Sequence, residues 1–254
     1  MIGIVGGVGP YAGLDLLRKV FDNTIARRDQ DHLDTILLSL SSGILDRTEY
    51  LVGVVNENPA LAIAEVLIKL EKAGARVAGI PCNTAHVDEI FQVIKDELEK
   101  ADCRIEVLHM IGETVSFIGT TFPGIKRIGL LSTTGTYRSA VYRDALEDEG
   151  FEVFRPSFEM QEEVIHPAIY HPDYGIKSVS NPVQSRAVEN LRKGFKYLKD
   201  LGAEAVILGC TEIPIAFPEK EIEGMVTIDP INVLARAMIS HDAPEKLKPY
   251  IYLT

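Results

Sequence analysis

Cysteine is scarce here, three residues in 254, and so few thiols cannot lace a disulfide framework. They also lack metal spacing. No Cys-x-x-Cys or His-x-x-x-His pair occurs and the six histidines are scattered, so no metal cofactor is expected. No apolar run approaches the length that spans a bilayer. Polar low-complexity tracts are missing too, which with 46% hydrophobic residues excludes a disordered chain. Basic residues are outnumbered, 26 against 37 acidic ones, for a formal net charge of −11. The densest basic stretch, Arg18 to Arg28, spaces its four charges as a solvated helix face does. Nucleic acid is therefore excluded as a partner. The opening MIGIVGG reads as a strand, with no basic stretch ahead of a long apolar one, and a cytoplasmic protein with reduced thiols is expected.

Apolar strand-like runs alternate with amphipathic stretches along the whole chain, which predicts an α/β fold of mainly parallel sheets flanked by helices. Strands are predicted at Ile2–Val5, Thr35–Leu40, Val77–Ile80, Ile105–Leu108 and Ile128–Leu131. Helices are predicted at Tyr11 to about Arg28, Pro59–Ala73, Val87–Lys100, Ile111–Thr120 and Tyr137 to about Glu149. The second half repeats the first. KAGARVAGIPCNT (Lys72–Thr84) lies over DLGAEAVILGCTE (Asp200–Glu212) without a gap. Gly74 and Gly202 stand where a helix C-cap wants glycine. The spacings Gly3 to Cys82 and Gly129 to Cys210 are nearly equal. Two similar pseudosymmetric domains are expected, one from residues 1–116 plus about 230–254 and the other from 117–229. Each cysteine would then lie past the C-terminal end of a buried strand, where open α/β sheets bind ligands. The two would face one interdomain cleft.

The motifs PCNTAH (Pro81–His86) and GCTEIP (Gly209–Pro214) carry the chemistry. A single cysteine is usually a small buried hydrophobe, but two in matched positions, each followed by hydrogen-bonding residues, read as a functional pair. A strand-to-helix turn favours thiolate. Asn83, Thr84 and Thr211 offer donors for a carboxylate whose charge grows during reaction. Gly7-x-Gly9-x-x-Ala12 loosely fits a dinucleotide fingerprint, but no acid ends the second strand, and Gly9–Pro10 reads instead as an anion-binding turn. Arg47, in the loop after the second strand, suits a bidentate clamp. Lys177 sits in the turn-rich IYHPDYGIKSVSNPV (Ile169–Val183), read as a loop over the cleft. His86 and Glu212 are second-tier candidates, able to orient or tune the thiols. Cys103 has no counterpart in the repeat and is read as structural.

These pieces together resemble the aspartate/glutamate racemase family, over essentially the whole chain. The matching segments are IGIVGGVGPYAG, DQDHLDT (Asp29–Thr35), LDRT (Leu45–Thr48), PCNTAH, YGIKS (Tyr174–Ser178) and LGCTEIP. The resemblance implies a racemase independent of pyridoxal phosphate and of any other cofactor, with Cys82 and Cys210 as the acid/base pair. It implies that Gly9, Pro10, Asn83, Thr84 and Thr211 hold the amino-acid head group. Arg47 and Lys177 would bind the side-chain carboxylate, and a homodimer is expected. Glutamate racemases typically open with DSGxGG and carry GCTH; IGIVGG and Glu212 point instead to the aspartate branch. HPDYGIKSVSNPV is longer than the plain aspartate pattern and resembles members that accept glutamate as well.

Racemisation of L- and D-aspartate is therefore the expected activity, with glutamate or broad-specificity racemisation as its alternative. Hydantoin racemisation, maleate isomerisation and arylmalonate decarboxylation are sister reactions on this scaffold. A non-catalytic amino-acid binding protein and a Cys82–Cys210 redox switch are the readings from other classes.

Overall fold

Every residue of β1 (Ile2–Gly6) is buried, as parallel strands covered on both faces require. β1 pairs in parallel with β2 (Thr35–Ser39) and β3 (Val77–Gly79), and β4 (Glu106–Val107) completes a parallel sheet of order β2-β1-β3-β4. The second sheet repeats that plan. β5 (Arg127–Ser132) pairs in parallel with β6 (Glu152–Phe154) and β7 (Ala205–Gly209). β9 (Met225–Ile228) lies beyond β7, and β8 (Glu221–Ile222) joins it antiparallel at the edge, giving the order β6-β5-β7-β9-β8. This computed structural model describes residues 1–251. Among them no helix is long and apolar enough to cross a membrane.

Among the described residues, seven helices of eight or more residues flank the sheets: α1 (Pro10–Asn23), α2 (Ala60–Lys72), α3 (Asp88–Lys100), α4 (Met110–Thr121), α5 (Val141–Asp148), α6 (Ser185–Asp200) and α7 (Pro230–Asp242). The repeat seen in the sequence is a repeat of packing. Gly3 of β1 is pressed against Leu70 and Ala75, and Gly129 of β5 against Leu198 and Ala203, the residues that align in the two halves. Gly74 and Gly202 both turn left-handed, with φ of 102° and 99°. The next amide closes the helix in each case, Ala75 N–H to the Leu70 carbonyl at 3.0 Å and Ala203 N–H to the Leu198 carbonyl at 3.1 Å.

Two helices differ from their predicted spans. α1 stops at Asn23 instead of Arg28, because the Thr24 hydroxyl turns back onto the Val20 carbonyl and Thr24 enters a bridge with Leu247. The stretch from Tyr137 is not one helix. A short helix at Thr134–Ser139 ends at Ala140, whose φ is 58°, and α5 restarts in a new direction.

Buried residues fall into clusters on the sheet faces. Ile2, Ile4, Ala12 and Leu16 share one with Ile231, Leu234 and Met238, so α7 packs on α1, β1 and β3 after the chain has built the second sheet. Ile111, Val115 and Ile118 of α4 instead join Ile128, Leu130 and Tyr142.

Candidate active site

The loops at the C-terminal ends of β1, β3, β5 and β7 converge, and threonines hold them together. Thr84 Oγ1 lies 3.0 Å from the hydroxyls of both Thr133 and Thr136, tying the loop after β3 to the loop after β5. Gly135 sits so close to Thr48 and Thr84 that a Cβ would fall 2.9 Å from Thr48 Oγ1, which is why the turn carries glycine there. The Tyr170 hydroxyl donates to Thr48 Oγ1 at 2.9 Å from the other side. These contacts border a narrow cavity of about 10 Å³, roughly the room of one water molecule. Cys82 and Cys210 both line it, and both are free thiols and buried.

The Cys82 wall contains Arg47, which is itself buried. Its Nη1 donates to the Leu45 carbonyl at 3.0 Å and its Nη2 to the Val8 carbonyl, while Nε has no partner. Burial disfavours the guanidinium charge, but the neighbouring Cys82 sulfur and the Asp46 carboxylate outweigh that and hold its pKa above the ordinary value. Arg47 thus stands beside a candidate base while it ties the turn after β1 to the loop after β2. Asp46 also lines the cavity. Its carboxylate caps the short helix Arg47–Leu51, accepting from the amides of Thr48 at 2.8 Å and Glu49 at 3.0 Å.

The Cys210 wall is built around Glu212. Glu212 Oε2 accepts from the Cys210 thiol and from the Thr211 hydroxyl, each at 3.1 Å, and Oε1 takes Lys177 Nζ at 3.2 Å. Burial pushes the Cys210 thiol well up, and the Glu212 charge pushes it further. The helix-end environment expected to favour thiolate is therefore not what surrounds Cys210. Only a turn and the four-residue helix Ile213–Ala216 follow it, too little to carry much dipole. Burial opposes charge on Glu212 too, but Lys177 and the two donors overcome it and lower its pKa. Burial likewise opposes charge on Lys177, and Glu212 with the Tyr170 and Cys210 groups raises it instead. Lys177 Nζ also stands 5.7 Å over the Tyr170 ring.

Arg47, Cys82, Asn83, Thr84, Lys177, Cys210, Thr211 and Glu212 are thus brought to one cavity. Gly9 lies just behind its wall, where a Cβ would meet Glu212 Oε1 at 2.7 Å. Pro10 lines an adjoining outer cavity that shares Lys177 and Glu212 with the inner one. His86 does not line the inner cavity. Its Nε2 is 3.1 Å from the Ile80 carbonyl, so it braces the loop that carries Cys82 from behind. Cys103 lies apart, on the β4 side next to Ile105 and Val107.

Asp46, Thr133 and Tyr170 line the cavity without having been singled out in the sequence. Thr133 was within reach, since the turn after β5 is the repeat's counterpart of the Gly7–Gly9 turn after β1. Asp46 reads as an ordinary helix cap, and Tyr170 belongs to no periodic pattern.

The description Asp/Glu/hydantoin racemase fits residues 5–238. The chain belongs to that family. Membership makes it an isomerase. Within the family, the broad specificity amino-acid racemase RacX of Bacillus subtilis (strain 168) is 26% identical over 249 residues, 94% of this chain and 97% of that one. The aspartate racemase of Picrophilus torridus superposes with a TM-score of 0.77 at 28% identity, over 94% of this chain and 93% of that chain. A glutamate racemase of Francisella tularensis in complex with D-glutamate shares the fold, with a TM-score of 0.66 at 17% identity over 99% and 84% of the two chains.

Proposed function

We propose that this isomerase interconverts L- and D-aspartate, without a cofactor, by moving the α-proton between Cys82 and Cys210. The observation that carries the proposal is that two free cysteines, delivered from different sheets, line one buried cavity. A planar carbanion needs a base on one face and an acid on the other, and two sulfurs can serve in either role. One thiolate takes the α-hydrogen as a proton, leaving its electron pair delocalised into the α-carboxylate. The opposite thiol returns a proton to the other face. No electron leaves the substrate and the two sulfurs end with their protonation exchanged.

The α-carbon is a weak acid, so the barrier falls chiefly by stabilising carboxylate charge in a dry site. Asn83, Thr84 and Thr211 supply donors for that carboxylate in this reading. In this reading the site lies between two domains, residues 1–116 plus about 230–254 and residues 117–229, whose closure excludes water. We take the working unit to be a cytoplasmic homodimer.

Charge in the cavity supports an acidic substrate only in balance. Arg47 and Lys177 contribute two cations, Asp46 and Glu212 two carboxylates, so the lining is formally neutral in a chain of −11. Asp46 is spent on a helix cap and Glu212 on Lys177. A distal carboxylate therefore competes with Glu212 for Lys177. That competition is the specific reason to hold glutamate and other amino acids as a second reading, alongside the likeness to a broad-specificity racemase.

The test is incubation of purified protein with L-aspartate, L-glutamate and a panel of neutral and basic amino acids in D2O, with no pyridoxal phosphate, followed by chiral analysis. D-Aspartate carrying α-deuterium is the expected product. Binding of aspartate with no α-deuterium gained would overturn the proposal in favour of a binding protein. Turnover of other amino acids in preference to aspartate would replace the substrate and keep the mechanism.

A further inference from the structure

Asn83 lines the cavity, yet one end of its amide is committed elsewhere. Its Oδ1 accepts a 2.6 Å hydrogen bond from the Tyr142 hydroxyl, while its Nδ2 is buried with no partner at all. A carboxamide has a donor end and an acceptor end. Pinning the acceptor decides which way the donor faces. A buried NH2 without a partner is costly and rare in a native protein, and a site that receives a carboxylate on binding accounts for it.

Tyr142 belongs to α5, follows the second sheet's first strand, and is fully buried. Its ring packs with Ile111, Ile118, Ile128 and Leu146, away from the cavity. The hydroxyl stands beside Thr114, and burial raises its pKa, so it keeps its proton to donate. The bond runs from the second half of the chain to the loop that carries Cys82 in the first.

We propose that Tyr142 is a positioning residue, which by donating to Asn83 Oδ1 holds Asn83 Nδ2 toward the cavity as a preset donor for the substrate's α-carboxylate. This rests on the reading of the cavity as the site of proton transfer. Nothing in the sequence motifs marks Tyr142. Its role is visible only because the hydrogen bond crosses between the two halves.

The test is a double-mutant cycle of Tyr142→Phe and Asn83→Ala, read in kcat, KM and Tm. A donor aimed at developing oxyanion charge is worth roughly 10²–10³ in rate when removed outright. Tyr142→Phe, which only frees the donor to rotate, is expected to lower kcat/KM by about 10-fold to 100-fold. In the Asn83→Ala background the same change should cost nothing further. Equal losses in both backgrounds would mark a packing role and overturn the proposal, as would a Tyr142→Phe enzyme within about twofold of the parent. A second readout needs no turnover. The Asn83 side-chain amide resonances, assigned by their loss in Asn83→Ala, should shift and broaden in Tyr142→Phe; an unchanged pair overturns the proposal. A parent chain inactive on every amino acid tried would refute the racemase reading alone, and the resonances would still decide the role of Tyr142.

Discussion

The Cys210 thiol donates to Glu212 Oε2 at 3.1 Å while Lys177 holds the other oxygen of the same carboxylate at 3.2 Å. One buried carboxylate therefore faces both the thiol and the cation of its wall. It restrains the release of the Cys210 proton and neutralises a charge that would otherwise favour thiolate.

Replacing Glu212 by Gln removes the negative charge and leaves Lys177 unpaired. Both changes favour thiolate at Cys210, so its alkylation rate, measured against pH in a Cys82→Ala background, should rise at lower pH than in the Cys82→Ala parent. An inflection at the same or higher pH contradicts the role given to Glu212. Breaking a buried ion pair costs about 3–5 kcal/mol, so Tm should fall by roughly 10 °C.

Cys82→Ala and Cys210→Ala should each abolish racemisation, with a loss of roughly 10²–10⁴ or more, the usual effect of removing a general base. Each variant is expected to keep α-hydrogen exchange with solvent for one enantiomer, and the two variants for opposite enantiomers. Chiral chromatography with mass detection in D2O reads both. Full turnover by either variant would remove its cysteine from the mechanism.

Arg47→Ala should lower kcat as well as raise KM. Arg47 stands beside Cys82 and bonds the carbonyls of Leu45 and Val8, so its loss unpairs two backbone acceptors and removes the cation next to the thiol. Destabilisation of about 2–3 kcal/mol is expected from the unsatisfied carbonyls. A variant with only KM raised and Tm unchanged would confine Arg47 to substrate binding.

The histidines behind the Cys82 loop make the fold acid-labile. Burial, with His109 adding to it, pulls the pKa of His86 down to about 3, and burial lowers that of His109 as well. Below the ordinary histidine range the unfolded chain takes up a proton that the folded chain refuses. Stability therefore falls as pH drops from about 6.5 toward about 3. His86→Gln, which cannot titrate, should flatten the dependence of Tm on pH across that window. An unaltered slope would show that other groups set it.

The fold was legible because its strands are buried apolar runs and its two halves share a register. Gly3 and Gly129, Gly74 and Gly202, Cys82 and Cys210 all carry that register in the sequence. The cavity was legible where the repeat or a motif marked it. Tyr170 and Tyr142 escaped notice because their hydroxyls act across long separations, on Thr48 and Asn83, and no local pattern encodes such a bond. The break at Ala140 was invisible for a related reason, since alanine gives no warning of a left-handed turn.

Helix α7 has a consequence for how the protein is made. A nascent chain halted before Pro230 leaves the cluster around Ile2, Ile4 and Leu16 only partly covered, because Ile231, Leu234 and Met238, which share it, have not yet emerged. A strand made well before α7 is thus sealed only once α7 has docked. Contacts of such long sequence separation form slowly, and until they form, the apolar faces of α1 and β1 that α7 covers stay open to misassociation.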